Sequence, residues 1–86
     1  MVQPNLSIII PVFNEEERIG ATLNLVVNFL KTRRYTWEIV VSVDGSTDST
    51  ALVVKQFINN GSNIKLLELS HHGKGWAIKN GILSAT

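Results

Sequence analysis

Three short stretches of this chain gather the residues that could do chemistry. They are Pro11-Val12-Phe13-Asn14-Glu15-Glu16-Glu17, Asp44-Gly45-Ser46-Thr47-Asp48 and Ser70-His71-His72-Gly73-Lys74-Gly75. Asp44 closes an apolar run, and a carboxylate there can accept the ring N–H of uracil or guanine. The plainer alternative is an Asx-type turn in which Ser46 or Thr47 starts the next helix. Phe13 either packs near a planar ligand or belongs to the local core. His-His-Gly-Lys-Gly is a flexible turn of the kind that offers free N–H groups to an anion when it feeds a helix. Lys74 would add charge to such a site, or else is a solvated lysine in a glycine turn. The stretch is not a P-loop: no glycine lies five positions before Gly73, where Glu68 stands, and no Ser or Thr follows Lys74. Gly-x-Gly-x-x-Gly fails at Ile78. His71 and His72 have no partner at metal-ligand spacing, and there is neither a Ser-His-Asp arrangement nor a Gly-x-Ser-x-Gly elbow. With no cysteine, disulfides, thiolate chemistry and Cys-type zinc sites are excluded.

The segments between these stretches must position them. Leu6 to Val12 is a nearly continuous apolar run, and Ile8-Ile9-Ile10 suits a strand covered on both faces, as in parallel sheets. From Glu15 to Lys31–Arg33 the period becomes helical, with Ile19, Leu23, Val26, Val27 and Leu30 on one stripe. Glu38 to Asp44 reads as a second strand. Asp48 to about Asn59 reads as a second helix, with Ala51, Val54, Phe57 and Ile58 inward and Asn60-Gly61 as its stop. Ile64 to Leu69 is a third strand. Gly75 to about Ala85 is a third helix, with Ala77, Ile78, Gly81, Ile82 and Ala85 inward. Gly81 lowers helix propensity by up to ~1 kcal/mol relative to Ala, which close helix–sheet packing would justify. The βαβαβα alternation predicts a parallel sheet with right-handed crossovers, a Rossmann-like α/β arrangement. All three chemistry-bearing stretches then fall on the carboxyl edge of the sheet, where such folds bind ligands.

The acidic run has a simple structural reading. Asn14 would cap the first helix, with Glu17 completing a capping-box variant, and Glu15, Glu16 and Glu17 would complement the helix dipole. That leaves Pro11 and Phe13 unexplained. Proline sets the direction in which the chain leaves the sheet.

The 86 residues suit one domain, residues 1–86; 44% are hydrophobic and 17% charged, a globular composition. A net charge of +1 gives no broad surface for nucleic acid, and the one basic cluster, Lys31, Arg33 and Arg34, reads as a solvated helix end. The sequons at Asn5 and Asn60 are expected to be unused in a cytoplasmic protein. No apolar run reaches the roughly 18 residues that would span a bilayer, and no signal peptide is expected before Leu6.

Leu-Ser-Ile-Ile-Ile-Pro-Val-Phe-Asn-Glu-Glu-Glu-Arg-Ile, Glu-Ile-Val-Val-Ser-Val-Asp-Gly-Ser-Thr-Asp-Ser-Thr and His-His-Gly-Lys-Gly-Trp-Ala-Ile-Lys-Asn-Gly-Ile-Leu stand in the order and spacing of the family 2 glycosyltransferases. Within that family the chain most resembles enzymes that place a sugar on a dolichyl or polyprenyl phosphate. The resemblance covers nearly the whole chain, and the three motifs together are specific to the superfamily. It implies the amino-terminal half of a GT-A fold, a three-layer βαβαβα unit with strand order 3-2-1. It implies inverting transfer of glucose, from UDP-glucose rather than a GDP-sugar, at the cytoplasmic face of a membrane. Pro11, Phe13 and Glu15 match the family's nucleoside-pocket turn, with Phe13 in place of the usual tyrosine. Asp44 matches the acidic residue that binds the base, and Lys74 the lysine of the Gly-Lys-Gly turn. Val43 departs from the pattern, which often has a second aspartate there. The family's Asp-x-Asp motif, which holds Mg²⁺ or Mn²⁺ on the donor diphosphate, is expected beyond Thr86. No catalytic residue or metal ligand is therefore expected within this chain, which alone should be inactive.

The same resemblance places a fourth strand beside the first. Without it Leu6 to Val12 becomes an unprotected edge, and pairing between two copies along that edge predicts a homodimer. The alternative to an enzyme fragment is a small non-catalytic α/β module that associates with itself or another chain.

Overall fold

The three apolar runs form three strands that pair in parallel in chain order, the second in the middle. The computed structural model describes residues 4–58 and 63–85. Its elements are β1 (Leu6–Val12), α1 (Ile19–Lys31), β2 (Trp37–Asp44), α2 (Thr50–Lys55), β3 (Ile64–Leu69) and α3 (Lys74–Ser84). This is the expected Rossmann-like half, and the strand order is the predicted 3-2-1 read from the other side.

Side chains alternate across a strand, so each strand feeds two layers. Ile39, Val41 and Val43 of β2 join Val12 and Ile64 in one core with Ile19, Leu23 and Leu30 of α1 and Val54 of α2; Ile8, Ile10 and Leu66 pack against it. On the opposite face Ile9, Val40 and Ser42 meet Ala77 and Gly81 of α3. β2 is the central strand and is buried along almost its whole length. A Cβ on Gly81 would lie 2.4 Å from Ile9 Cγ2 and 2.8 Å from Ser42 Oγ. The glycine lets α3 sit directly on the sheet, as its cost in helix propensity suggested.

The amino edge of the sheet is closed by a polar row. The Ser7 hydroxyl donates to Glu38 Oε2 at 2.6 Å, Lys65 Nζ lies 3.4 Å from Glu38 Oε1, and the same ammonium donates to the Ser84 carbonyl at 3.2 Å.

Helix boundaries differ from expectation in three places. α1 begins at Ile19, not Glu15, because Asn14 takes a left-handed φ of 50° and a turn over residues 15–18 follows. The three glutamates therefore precede the helix, and Asn14 makes no capping box. The helical part of the second segment is shorter than predicted: Asp48 stands outside it, and Gln56 and Phe57 are in a turn. The expected stop at Asn60-Gly61 lies outside the described residues. In α3, Ala77 and Gly81 face inward as expected, but Ile82 is 59% exposed, because the close seat of Gly81 turns the next residue outward.

Candidate functional site

Asp44 ends the central strand, so the turns after β1 and β3 converge on it from either side. Its side chain is 4% exposed. Oδ1 accepts the His72 N–H at 2.9 Å; Oδ2 accepts the Gly73 N–H at 2.9 Å and lies 3.0 Å from His71 Nδ1. His71 Nδ1 is also 3.1 Å from the Asp44 carbonyl oxygen. The His72 amide does most to hold the carboxyl below its ordinary range; burial opposes it, and the Gly73 amide and His71 reinforce it. A carboxylate offers about four lone-pair positions, of which three are engaged here. The fourth has no donor among the described residues.

Gly45 makes this convergence possible. Its φ is +64°, and a Cβ there would stand 2.6 Å from the His71 nitrogen and 2.7 Å from its Cβ. The backbone of the third turn crosses directly over it. The His71 ring then stacks on Phe13, with centroids 4.5 Å apart and planes 28° from parallel. Phe13 remains 44% exposed, so it belongs to the rim and not to the core. His72 leans on Trp76 at 4.8 Å.

The first and second turns are laced just as closely. Asn14 Oδ1 accepts the Thr47 N–H at 2.8 Å, and the Asn14 N–H donates to Ser46 Oγ at 2.9 Å. The Glu15 N–H donates to Thr50 Oγ1 at 2.9 Å and the Glu16 N–H to Asp48 Oδ2 at 3.3 Å. Asp48 in turn accepts both the N–H and the hydroxyl of Thr50. Burial pushes the Asp48 carboxyl up, but these bonds from Thr50 and Glu16 outweigh it and leave the group below its ordinary range.

The expected site residues thus divide. Phe13 and Asp44 come together through His71, with Lys74, exposed at the start of α3, following directly on Gly73. Pro11 lies in β1 opposite Ser42 and directs the chain toward Phe13. Glu15 sits apart, its carboxylate forked by Arg18 at 2.7 and 2.8 Å. It lines an open cleft of about 440 Å³ with Asn14, Glu16, Glu17, Arg18 and Asp48. Four carboxylates against one guanidinium make that cleft unfavourable for an anion. Val43, where the family often has an aspartate, points into the hydrophobic core on the face opposite Asp44.

His71, Asn14, Asp48 and Thr50 carry the geometry without having been singled out for it. Their partners lie 27 to 35 residues away, and no local spacing announces them. Among the described residues, no group of three or more His, Asp or Glu side chains is placed to hold a metal ion.

The family model Glycosyl transferase family 2 matches residues 7–86. A dolichyl-phosphate beta-glucosyltransferase of Trichomonas vaginalis is 46% identical over 89 residues, covering 96% of this chain and 27% of its own length. The corresponding proteins of Dictyostelium discoideum and Saccharomyces cerevisiae are 42% and 38% identical, each over 91% of this chain and 26% and 25% of their own lengths. The chain thus spans about a quarter of these relatives. A mannosyltransferase from Pyrobaculum calidifontis, solved in complex with GDP-Man and Mn²⁺, superposes on the whole chain with a TM-score of 0.81 at 25% identity; the match covers 26% of that protein.

Proposed function

Because the chain belongs to glycosyltransferase family 2, we propose that its rim of three turns is the nucleoside-binding part of a nucleotide-sugar site. Pro11, Phe13, Asp44 and Lys74 are the residues assigned to it; Glu15, matched by the family motif, stands at its margin with its carboxylate on Arg18. The observation that carries the reading is Asp44: a buried carboxylate, kept ionised by three donors and with one lone pair unengaged among the described residues, beside an exposed aromatic. A lone pair of that kind suits the single ring N–H of a pyrimidine or purine. Phe13 offers the apolar surface, and Lys74 supports the anionic side of the ligand.

The complete enzyme transfers glucose from UDP-glucose to a dolichyl or polyprenyl phosphate, with inversion, at the cytoplasmic face of a membrane. The dolichyl-phosphate glucosyltransferase relatives support the sugar and the acceptor. The mannosyltransferase neighbour binds GDP-Man, so UDP as carrier rests on the glucosyltransferase resemblance. Mg²⁺ or Mn²⁺ would neutralise the departing diphosphate. A phosphate acceptor is already an anion and needs little help from a base. The 86-residue chain by itself binds nucleotide and does not transfer sugar.

Phe13 is the position for a direct test, because its exposure lets it be truncated without opening the core. Titration of the chain with UDP, followed by backbone amide shifts, should move the resonances of Phe13, Asp44, His72, Gly73 and Lys74. Phe13→Ala should weaken binding roughly tenfold or more, the usual scale for removing an aromatic contact. Shifts confined to the cleft around Glu16 and Glu17, or none at all, would reject the reading.

A further inference from the structure

We infer that Asn14 is a positioning residue for Phe13: it fixes the aromatic on the rim by carrying the pairing of β1 and β2 beyond the point where their main-chain register ends. The inference rests on the nucleoside site proposed above and adds to it the residue that sets the site's aromatic wall.

The register of β1 on β2 runs from Leu6 opposite Trp37 to Val12 opposite Val43. One residue after Asp44 the chain turns away at Gly45, whose φ is +64°. Asn14 continues the pairing with two bonds of another kind. Its N–H donates to Ser46 Oγ at 2.9 Å, and its Oδ1 accepts the Thr47 N–H at 2.8 Å. A side-chain carbonyl thus stands where a strand would offer a backbone one. Phe13 lies between the last paired residue and this clasp. Its backbone is held from both sides while the residue stays 44% exposed.

The clasp depends on a conformation that few residues adopt. Asn14 has a φ of 50°, and among the described residues it is the one non-glycine residue with a positive φ. Asparagine is several-fold enriched in that region, whereas alanine is strained there. Asn14 therefore supplies two separable things, a left-handed backbone and an acceptor for Thr47. It is itself exposed, so core packing does not require it. What it controls is the direction in which the chain leaves the sheet, and hence where the Phe13 ring meets His71, with centroids 4.5 Å apart. An exposed ring held in this way loses less freedom when a ligand settles against it, and such preorganisation raises affinity.

His71 rests on other supports. Its Nδ1 lies 3.0 Å from Asp44 Oδ2, and the next two amides donate to the same carboxylate. Loss of the Asn14 clasp should therefore free Phe13 and leave the third turn seated on Asp44.

The test is a double-mutant cycle. UDP is titrated into the wild type, Asn14→Gly, Phe13→Ala and the double variant, and binding is followed by backbone amide shifts. Glycine tolerates the left-handed backbone and removes the acceptor. Asn14→Gly should weaken binding by about two- to tenfold, the scale of ordering one side chain. In the Phe13→Ala background the same substitution should change affinity by less than about twofold, because an effect exerted through Phe13 has nothing left to act on. Equal weakening in both backgrounds, or unchanged affinity in Asn14→Gly, overturns the inference and leaves the nucleoside site intact. Absence of UDP binding by the wild type defeats the nucleoside site and this inference with it. The unliganded protein gives an independent check. Nuclear Overhauser contacts between the Phe13 and His71 rings should weaken in Asn14→Gly while the His72 and Gly73 amide shifts hold. They should return in Asn14→Asp, which keeps an acceptor oxygen and tolerates the left-handed backbone. Ring contacts that persist in Asn14→Gly would refute the positioning role without any ligand.

Discussion

Asp44 is at once a ligand group and a structural one, and the two roles can be separated by pH. Its carboxyl is held below the usual aspartate value of 3.8, first by the His72 amide and then by Gly73 and His71. A group whose folded pKa is depressed stabilises the fold fully above its unfolded pKa, and that contribution disappears as pH falls through the lower folded value. In Asp44→Asn the new amide nitrogen faces either the Gly73 or the His72 N–H, donor against donor. Urea melts should therefore show the variant less stable than the wild type at pH 7, with the gap closing below about pH 3.8. A gap that stays constant down to pH 2.5 would mean that the charge on Asp44 does not hold the third turn.

At the scale of elements, the two glycines that meet helix contacts make opposite predictions. Gly81 is pressed against Ile9 and Ser42, and a methyl group there would overlap both. Gly81→Ala should destabilise the protein by about 1–3 kcal/mol through overpacking, even though alanine is the better helix former. Gly20, in the first turn of α1, would place its Cβ 3.7 Å from Val53 and 3.8 Å from Phe57, ordinary contact distances. Gly20→Ala should stabilise by about 0.5–1 kcal/mol. Thermal denaturation of the two variants gives the signs directly; the same sign for both would remove close packing as the reason for Gly81. Ser42 fits this picture, since its buried hydroxyl has no hydrogen-bond partner among the described residues. It is a small side chain kept under a helix that leaves no room for a larger one.

At the scale of the whole molecule, the two edges of the sheet are unlike. β3 carries exposed Lys65 and Glu68, charges of the kind that discourage strand addition. β1 has no charged residue; Ile8 and Ile10 are half covered by the α1 and α2 layer, Ile9 by α3, and the backbone edge beyond them has no strand partner among the described residues. Pro11 removes one donor near the end of β1, a placement that edge strands tolerate. We expect two copies to pair β1 to β1, antiparallel about a two-fold axis, and to join their sheets. Light scattering at ~100 μM, where exposed edges associate, should report twice the 9.5 kDa of one chain. A clean monomer at that concentration would reject this assembly.

Element identity and the location of the rim were legible in the sequence because they rest on local periodicity and on connection rules, whereas the strand order followed from the family resemblance. The apolar runs of β1, β2 and β3 differ in period from α1 and α3, and alternation alone implies a parallel sheet whose turns share one edge. Helix starts were less legible. Asn14, read as a cap, instead takes a left-handed conformation and bonds Thr47, a partner 33 residues on. Local propensity offered it a helix; a long-range hydrogen bond claimed it first. The family motifs pointed to Phe13 and Asp44 but gave His71 no role, because its role exists only where the third turn crosses Gly45 and meets both. Which residues carry chemistry was thus largely set by residue type at the ends of strands. Which of them touch, and which atoms they leave free for a ligand, was decided by tertiary packing alone, since a 3 Å contact between residues 27 positions apart has no signature in either segment.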